Sequence, residues 1–422
     1  MEKLREIALR LDSSDKLSDF RKKFIIPNDS IYFDGNSLGP LSKNTLYTLN
    51  ETIHTDWGKN LISSWNKKWI NLPNEISLKI SLILKCDDNE INVGGSTSNN
   101  LYKILKSILD TNKEIDTIIT DSLNFPSDIY ICEGVSKDYN IDFKILNYKN
   151  KYIPDLVELE SFIKMHKSIV VLSHVAYKSS YRYPIKRINQ FCKKNESKVI
   201  WDLSHSIGAV DIDIKKNETE YAIGCTYKFL NGGPGSPAFI FVNKDQIKSL
   251  KSPIRGWFSH DKPFDFSSEY KESNSINKFS NGTPNIISMS TLKSSLKHTI
   301  DATTNSLEIK SGSMFDFFNK FYLNNLENLK FELITPSESK NRGSHIAITH
   351  PEAWRITKCL LKPEVKNTKK IIVDFRPPNI IRIALTPLYI SFQDVYSLCI
   401  RLKSIIETEE YKIKDDSKET VT

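Results

Sequence analysis

In the stretch Tyr221–Gly235, YAIGCTYKFLNGGPG, Lys228 stands beside Tyr227, after an apolar run and before a turn of Asn, Gly and Pro. Lysine is almost never fully buried unless another group pairs or reacts with it. Withdrawn from water, its amine is a nucleophile that forms Schiff bases with carbonyl compounds. Upstream, the apolar run KVIWD closes on Asp202, with His205 three residues on, and SIVVLS closes on Ser173. A buried carboxylate is unfavourable without a cation or strong donors. A third feature, GGSTSNN at 94–100, follows the apolar EINV and opens a helical pattern. Gly94 and Gly95 permit a tight turn, and Ser96, Thr97 and Ser98 offer hydroxyl and N–H donors where a helix N-terminus receives anions. No GK[ST] or GxGxxG ending makes this a nucleotide loop, and GGPGSP at 232–237 reads as a structural turn.

Each feature alone has a plainer reading: a turn aspartate, a solvated lysine, a hydrogen-bonded core histidine, a capped loop. In this order they describe a site for pyridoxal 5'-phosphate, with phosphate at the helix N-terminus, aldehyde at Lys228 and a carboxylate on the protonated pyridine nitrogen. At roughly 4 Å and an effective dielectric of 20, that last pairing contributes about 4 kcal/mol. It keeps the ring an electron sink, the main electronic task of a protein holding this cofactor.

The remaining composition narrows the class. The chain has 422 residues, 39% hydrophobic and 26% charged, ordinary for a globular protein with a large core. No apolar run is long enough to span a bilayer, so no membrane role is expected. The N-terminus, MEKLREIALRLDSSDKL, has no apolar signal core, and a cytoplasmic location is the expectation. Six scattered cysteines without CxxC form neither a disulfide framework nor a metal site, so no metal is expected. The formal charge of +8 is spread through a Lys-, Asn- and Ile-rich chain, and basic runs such as KNTKK lack interleaved aromatics. Nucleic-acid binding is not expected.

Between about residues 90 and 245, short apolar runs (TIITD, SIVVLSHV, KVIWDLSH, YAIGCT, AFIFVN) alternate with amphipathic segments such as LYKILKSILDT and IKRINQFCKKN. The alternation predicts an α/β fold with a largely parallel sheet, in which ligands bind beyond the carboxyl ends of the strands. Asp202, His205, Ser173, Tyr227 and Lys228 all fall at such ends. Further on, SHIAITH and IIRIAL read as strands, and SFQDVYSLCIRLKSIIET as a long helix capped by Ser391, which together suit a smaller α+β domain.

The stretches IYFDGNSLGP, STSNNLYK, FPSD, WDLSHSIGAV, GCTYKFLNGGPGS, GWFSHDKPFDF and LTPLYISFQDVY resemble the kynureninase family, over nearly the whole chain. The likeness is closer to bacterial-type than to animal members. It implies the PLP-dependent aminotransferase-like fold (fold type I), with a mostly parallel seven-stranded sheet. It also implies a large cofactor-binding domain at 50–300 and a small domain built from 1–49 and 301–422. The implied reaction is hydrolysis of L-kynurenine, and of 3-hydroxy-L-kynurenine as a second substrate, to an anthranilate and L-alanine. That chemistry belongs to tryptophan catabolism, the kynurenine pathway and NAD biosynthesis. The resemblance assigns Lys228 as the cofactor-bearing lysine and Asp202 as partner of the pyridine nitrogen, with His205 and Ser173 nearby. Phe125 is expected to stack on the ring, with Asp128 close by, and Thr97, Ser98 and the Tyr227 hydroxyl to hold phosphate. Trp257 and Thr283, with Asn281 as the other register, are expected to reach the cofactor of the second subunit of a homodimer. Arg382 is expected to clamp the substrate carboxylate, with Asn36 and Trp65 as further substrate contacts. Trp65 and Trp257 also read as core aromatics, and Tyr227 reads equally as proton donor or phosphate anchor. Animal-type members that favour the hydroxylated substrate carry a histidine where this chain has NLISSWNKKW, which points to kynurenine itself. Two rivals stand beside this reading: another fold-type-I enzyme, such as a cysteine desulfurase or an aminotransferase, and a binding protein that has kept the fold.

Overall fold

The computed structural model describes residues 2–364, 368–415 and 417; the other positions of the 301–422 segment lie outside it. Seven strands form the main sheet, in the spatial order Ile91–Val93, Phe239–Val242, Tyr221–Gly224, Lys198–Asp202, Ser168–Ser173, Thr117–Asp121, Asp142–Leu146. Only Phe239–Val242 runs against the rest, so the sheet is mostly parallel. The runs are continuously apolar because the central strands are buried on both faces. One core packs on each face, and both are drawn from residues 72–296. The edge strand Asp142–Leu146, DFKIL, is mostly exposed, so its sequence carries no apolar run to announce it.

A third core joins residues from the two ends of the chain, from Ala8 to Phe33 and from Ala302 to Ile405. Its framework is a four-stranded antiparallel sheet, ordered Asp374–Arg376, Ile380–Ala384, His345–Thr349, Glu332–Leu333, backed by the Phe392–Glu407 helix. Ser391 caps that helix through a reciprocal pair with Asp394. Among the described residues no helix is long and apolar enough to cross a membrane, and no cluster of His, Cys, Asp or Glu could hold a metal ion.

Parallel strands place their carboxyl ends along one edge. Asp202 and Ser173 are register partners there, and the turns after Val93, Asp121 and Gly224 open on the same edge. Chain order thus becomes a spatial cluster.

Candidate active site

A cavity of about 430 Å³ lies at this edge. Its lining includes eight of the residues singled out by sequence: Thr97, Ser98, Phe125, Asp128, Asp202, His205, Tyr227 and Lys228.

Thr97 and Ser98 are the first two residues of the Thr97–Thr111 helix, whose N-cap Ser96 accepts from the Asn99 N–H while Asn99 accepts from the Ser96 N–H. N–H groups in a first helical turn have no acceptor within the helix, and there they can receive an anion. The φ of +63° at Gly95 makes the turn into this helix a glycine position.

Phe125 and Asp128 come from the turn after Thr117–Asp121. Asp121 accepts from the Leu123 and Asn124 N–H groups (3.0 and 3.1 Å) and from the Tyr183 and Tyr148 hydroxyls (2.6 and 3.2 Å). Burial pushes its carboxyl up to about 6. Asn124 then accepts from the Phe125 N–H (2.8 Å) and from the Ser173 hydroxyl (2.6 Å). Ser173 is therefore engaged behind the cavity wall and does not line it. Pro126, at the first helical turn, starts the helix that carries Asp128 inward.

Lys228 sits in a turn held from both sides. Asn231 N–H donates to the Lys228 carbonyl (2.9 Å) and Gly232 N–H to the Thr226 carbonyl (2.9 Å), while Gly39 N–H donates to the Tyr227 carbonyl (2.7 Å). The half-buried ammonium lies 3.3 Å from His205 Nε2 and 5.7 Å from the Phe125 ring centre. Burial, then the charge of Lys228, drives His205 well below its ordinary value, so it is a neutral ring. Burial pushes the Tyr227 phenol up, with the Cys225 thiol beside it adding to the shift. Tyr227 is thus a protonated donor at neutral pH. A methyl group on Gly39 would stand 2.4 Å from the Lys228 carbonyl and 2.4 Å from Asn231 Oδ1. Gly39→Ala is accordingly expected to cost about 1–3 kcal/mol of stability and to displace Lys228, read as a lower melting temperature together with reduced cofactor absorbance.

Asp202 and Asp128 are both buried at the cavity wall. Desolvation raises Asp202, and Ser204 and the Lys228 charge oppose it. Asp128 is raised well above the ordinary carboxylate range, first by burial and then by the Asp202 charge. Its Oδ2 is buried with no hydrogen-bond partner among the described residues. Among the described residues, Lys228 is the one Lys or Arg that lines the cavity. The Asp202 carboxyl at the wall, with the orphaned Asp128 oxygen beside it, can accept a further cationic donor. A protonated pyridine nitrogen supplies it, and the adjacent helix N-terminus suits its phosphate. The residues present therefore fit pyridoxal phosphate.

The other sequence candidates lie outside this cavity. Arg382 is buried and already bonded: Nε to Asp374 Oδ2 (2.5 Å), Nη1 to the Tyr177 carbonyl (2.8 Å) and Nη2 to Ser37 Oγ (3.4 Å). Asn36 is fully buried with both amide atoms unpartnered. Trp65 packs on Trp69 and Phe258, at 5.8 and 6.3 Å between ring centres. Trp257 is 41% exposed, 4.8 Å from the Phe258 ring, and donates its indole N–H to the Pro263 carbonyl. Thr283 and Asn281 line a second cavity of about 500 Å³ that also touches Gly94 and Gly95. Residues that the sequence reading passed over are Asp121, Asn124, Ser204 and Asp374. Asp121 ends a strand as Asp202 does, and that shared position was the available signal.

The family model for the kynureninase C-terminal domain matches residues 307–402. A kynureninase of Pseudomonas fluorescens is 33% identical over 412 residues, covering 96% of each chain. The chain belongs to the kynureninase family. It is a pyridoxal phosphate-dependent hydrolase of that family. Among solved structures, the apo cysteine desulfurase of Thermococcus onnurineus NA1 superposes with a TM-score of 0.79 at 16% identity, over 92% of this chain and 98% of that one. A C-DES variant with glycine linked covalently to its PLP cofactor gives 0.76 at 15% identity, over 91% and 98%. At such identity these two show the fold, which is that of fold-type-I PLP enzymes.

Proposed function

We propose that this member of the kynureninase family hydrolyses L-kynurenine to anthranilate and L-alanine, in tryptophan catabolism, as a cytoplasmic homodimer. The observation that carries the reading is the meeting of Lys228, His205 and the buried Asp202–Asp128 pair in one cavity at the sheet edge. Pyridoxal phosphate, when bound there, supplies an aldehyde for the substrate amine and a cationic ring that withdraws electrons from the substrate carbons. Asp202 would hold that ring charge with Asp128 beside it, Thr97 and Ser98 would hold the phosphate, and Phe125 would offer an aromatic face. Lys228 Nζ takes and returns the proton at the substrate α-carbon. His205, neutral and 3.3 Å away, accepts from that amine and keeps it aimed. Arg382 binds the substrate carboxylate, exchanging the Tyr177 carbonyl and Ser37 hydroxyl for it. Water adds to the aryl ketone, the Cβ–Cγ bond breaks, and Tyr227 serves as proton donor in these later steps.

Tyr227→Phe separates this role from phosphate anchoring. Turnover is expected to fall by about 10²-fold or more with cofactor affinity little changed; equal loss of both refutes the donor role.

The homodimer is supported by surfaces that a lone chain leaves bare. Trp257, Phe264 and Phe266 are 41%, 46% and 76% exposed, and Trp57, Leu61 and Ile62 are 57%, 60% and 78% exposed. Apolar patches of this kind mark association sites. Trp257 and Thr283, absent from the lining of their own cavity, suit a contact with the partner's cofactor. The division into a large unit at 50–300 and a small unit from both chain ends is part of the same reading, with Arg382 on the small unit.

A desulfurase reading is disfavoured by the thiols. Five cysteines are buried and Cys86 is half-buried, and Cys359 lies within the Ala353–Leu361 helix with its thiol pushed up to about 11 by burial. Adding L-kynurenine to the pyridoxal phosphate-loaded protein is expected to release fluorescent anthranilate, faster than 3-hydroxykynurenine releases its product. Absence of anthranilate from a protein that shows cofactor absorbance refutes the proposed reaction.

A further inference from the structure

Ser204 stands two residues beyond Asp202, buried at the cavity wall. Its N–H and its hydroxyl both donate to the same oxygen, Asp202 Oδ1, at 2.8 and 2.5 Å. The hydroxyl oxygen in turn accepts from the Cys225 N–H at 3.0 Å, where the Tyr221–Gly224 strand ends and the chain turns toward Lys228. One hydroxyl thus ties the carboxylate to the neighbouring strand end that delivers the lysine. Neither Ser204 donor goes to Oδ2.

We propose that Ser204 is a positioning residue for the cofactor: by committing Oδ1 it fixes the Asp202 carboxylate and reserves Oδ2 for the pyridine nitrogen. The inference rests on the pyridoxal phosphate reading above. A hydrogen bond to a charged acceptor is stronger than a neutral one and directional, and the hydroxyl bond at 2.5 Å is of that kind. Without the hydroxyl, Oδ1 keeps one Ser204 donor, the Cys225 N–H loses the Ser204 oxygen as acceptor, and the carboxylate is held by one bond fewer. Both Ser204 donors go to Asp202, so the effect of Ser204 must depend on what the ring presents to Asp202.

The test compares two ligands on the full-length protein: pyridoxal phosphate, and its 1-deaza analogue, in which carbon replaces the ring nitrogen. Ser204→Ala is expected to weaken pyridoxal phosphate by about 10-fold while leaving the deaza analogue unchanged, as measured by equilibrium titration of the apoprotein. Ser204→Thr, which keeps the hydroxyl, is expected to restore pyridoxal phosphate binding. Equal weakening of both ligands overturns the proposal, because it describes general loosening of the wall. Unchanged binding of pyridoxal phosphate to Ser204→Ala overturns it too. Should Ser204→Ala fail to fold, Ser204→Cys, which keeps the shape and weakens the donor, is read by the same comparison. Failure of the unsubstituted protein to bind pyridoxal phosphate removes the underlying reading, and with it this one, and is recognised by the absence of visible absorbance before any substitution is made.

Discussion

Lys228→Ala is expected to lower turnover by on the order of 10⁴-fold, at the upper end of general acid–base contributions. Among the described residues it is the only Lys or Arg lining the cavity, and the neighbouring His205 is held neutral by burial. Lys228 also holds down the carboxyls of Asp202 and Asp128 by its charge. Its loss should drive both further up and weaken their grip on a cationic ring. Borohydride treatment of the unsubstituted, cofactor-loaded protein should attach the cofactor to the peptide containing Lys228, and the variant should yield no such peptide. A cofactor fixed to any other lysine removes Lys228 from the mechanism.

Asp202→Asn is expected to weaken cofactor binding by about 10³-fold, the equivalent of the roughly 4 kcal/mol attraction between unit charges at 4 Å and an effective dielectric of 20. Asparagine keeps the size and one acceptor oxygen for Ser204 but not the charge. The loss should therefore appear in equilibrium titration with pyridoxal phosphate, and in turnover through a weaker electron sink, with the melting temperature of the apoprotein preserved or raised. That last sign follows from the direction of the shift: burial raises Asp202, so the cofactor-free fold favours the neutral form, and an uncharged side chain relieves it. Wild-type affinity in Asp202→Asn would transfer the role to Asp128, whose Oδ2 is buried without a partner at the same wall.

Much of this was legible in the chain because the chemistry is tied to local patterns. The runs ending at Asp202, Ser173 and Gly224 announce their strands by continuous apolar character, and in a parallel sheet every such end lies on one edge. GGSTSNN announces its helix start because a capping box is encoded in adjacent residues. Other features had no local signature. The Asp142–Leu146 strand is mostly exposed at an edge and carries Asp and Lys where a buried strand would carry Val or Ile. Asp121 and Asn124 read as ordinary turn residues, and only the folded chain shows Tyr183 and Tyr148 converging on one and Ser173 on the other. Gly39 gave no sign that the N-terminal segment would close over the Lys228 turn.

By itself, the sequence determined the buried strands of the sheet, the edge at which they end and eight of the side chains that line the cavity there, because strand burial and helix capping depend on residues close together in the chain. The tertiary structure alone decided how those side chains are held: Arg382 on Asp374 and Tyr177, Ser173 behind Asn124, Asp202 fastened through Ser204 to Cys225, and Trp257 outside the lining of the cavity. Those contacts join residues up to 205 positions apart, as between Tyr177 and Arg382. Burial and electrostatic pairing at that separation arise only when distant parts of the chain pack together.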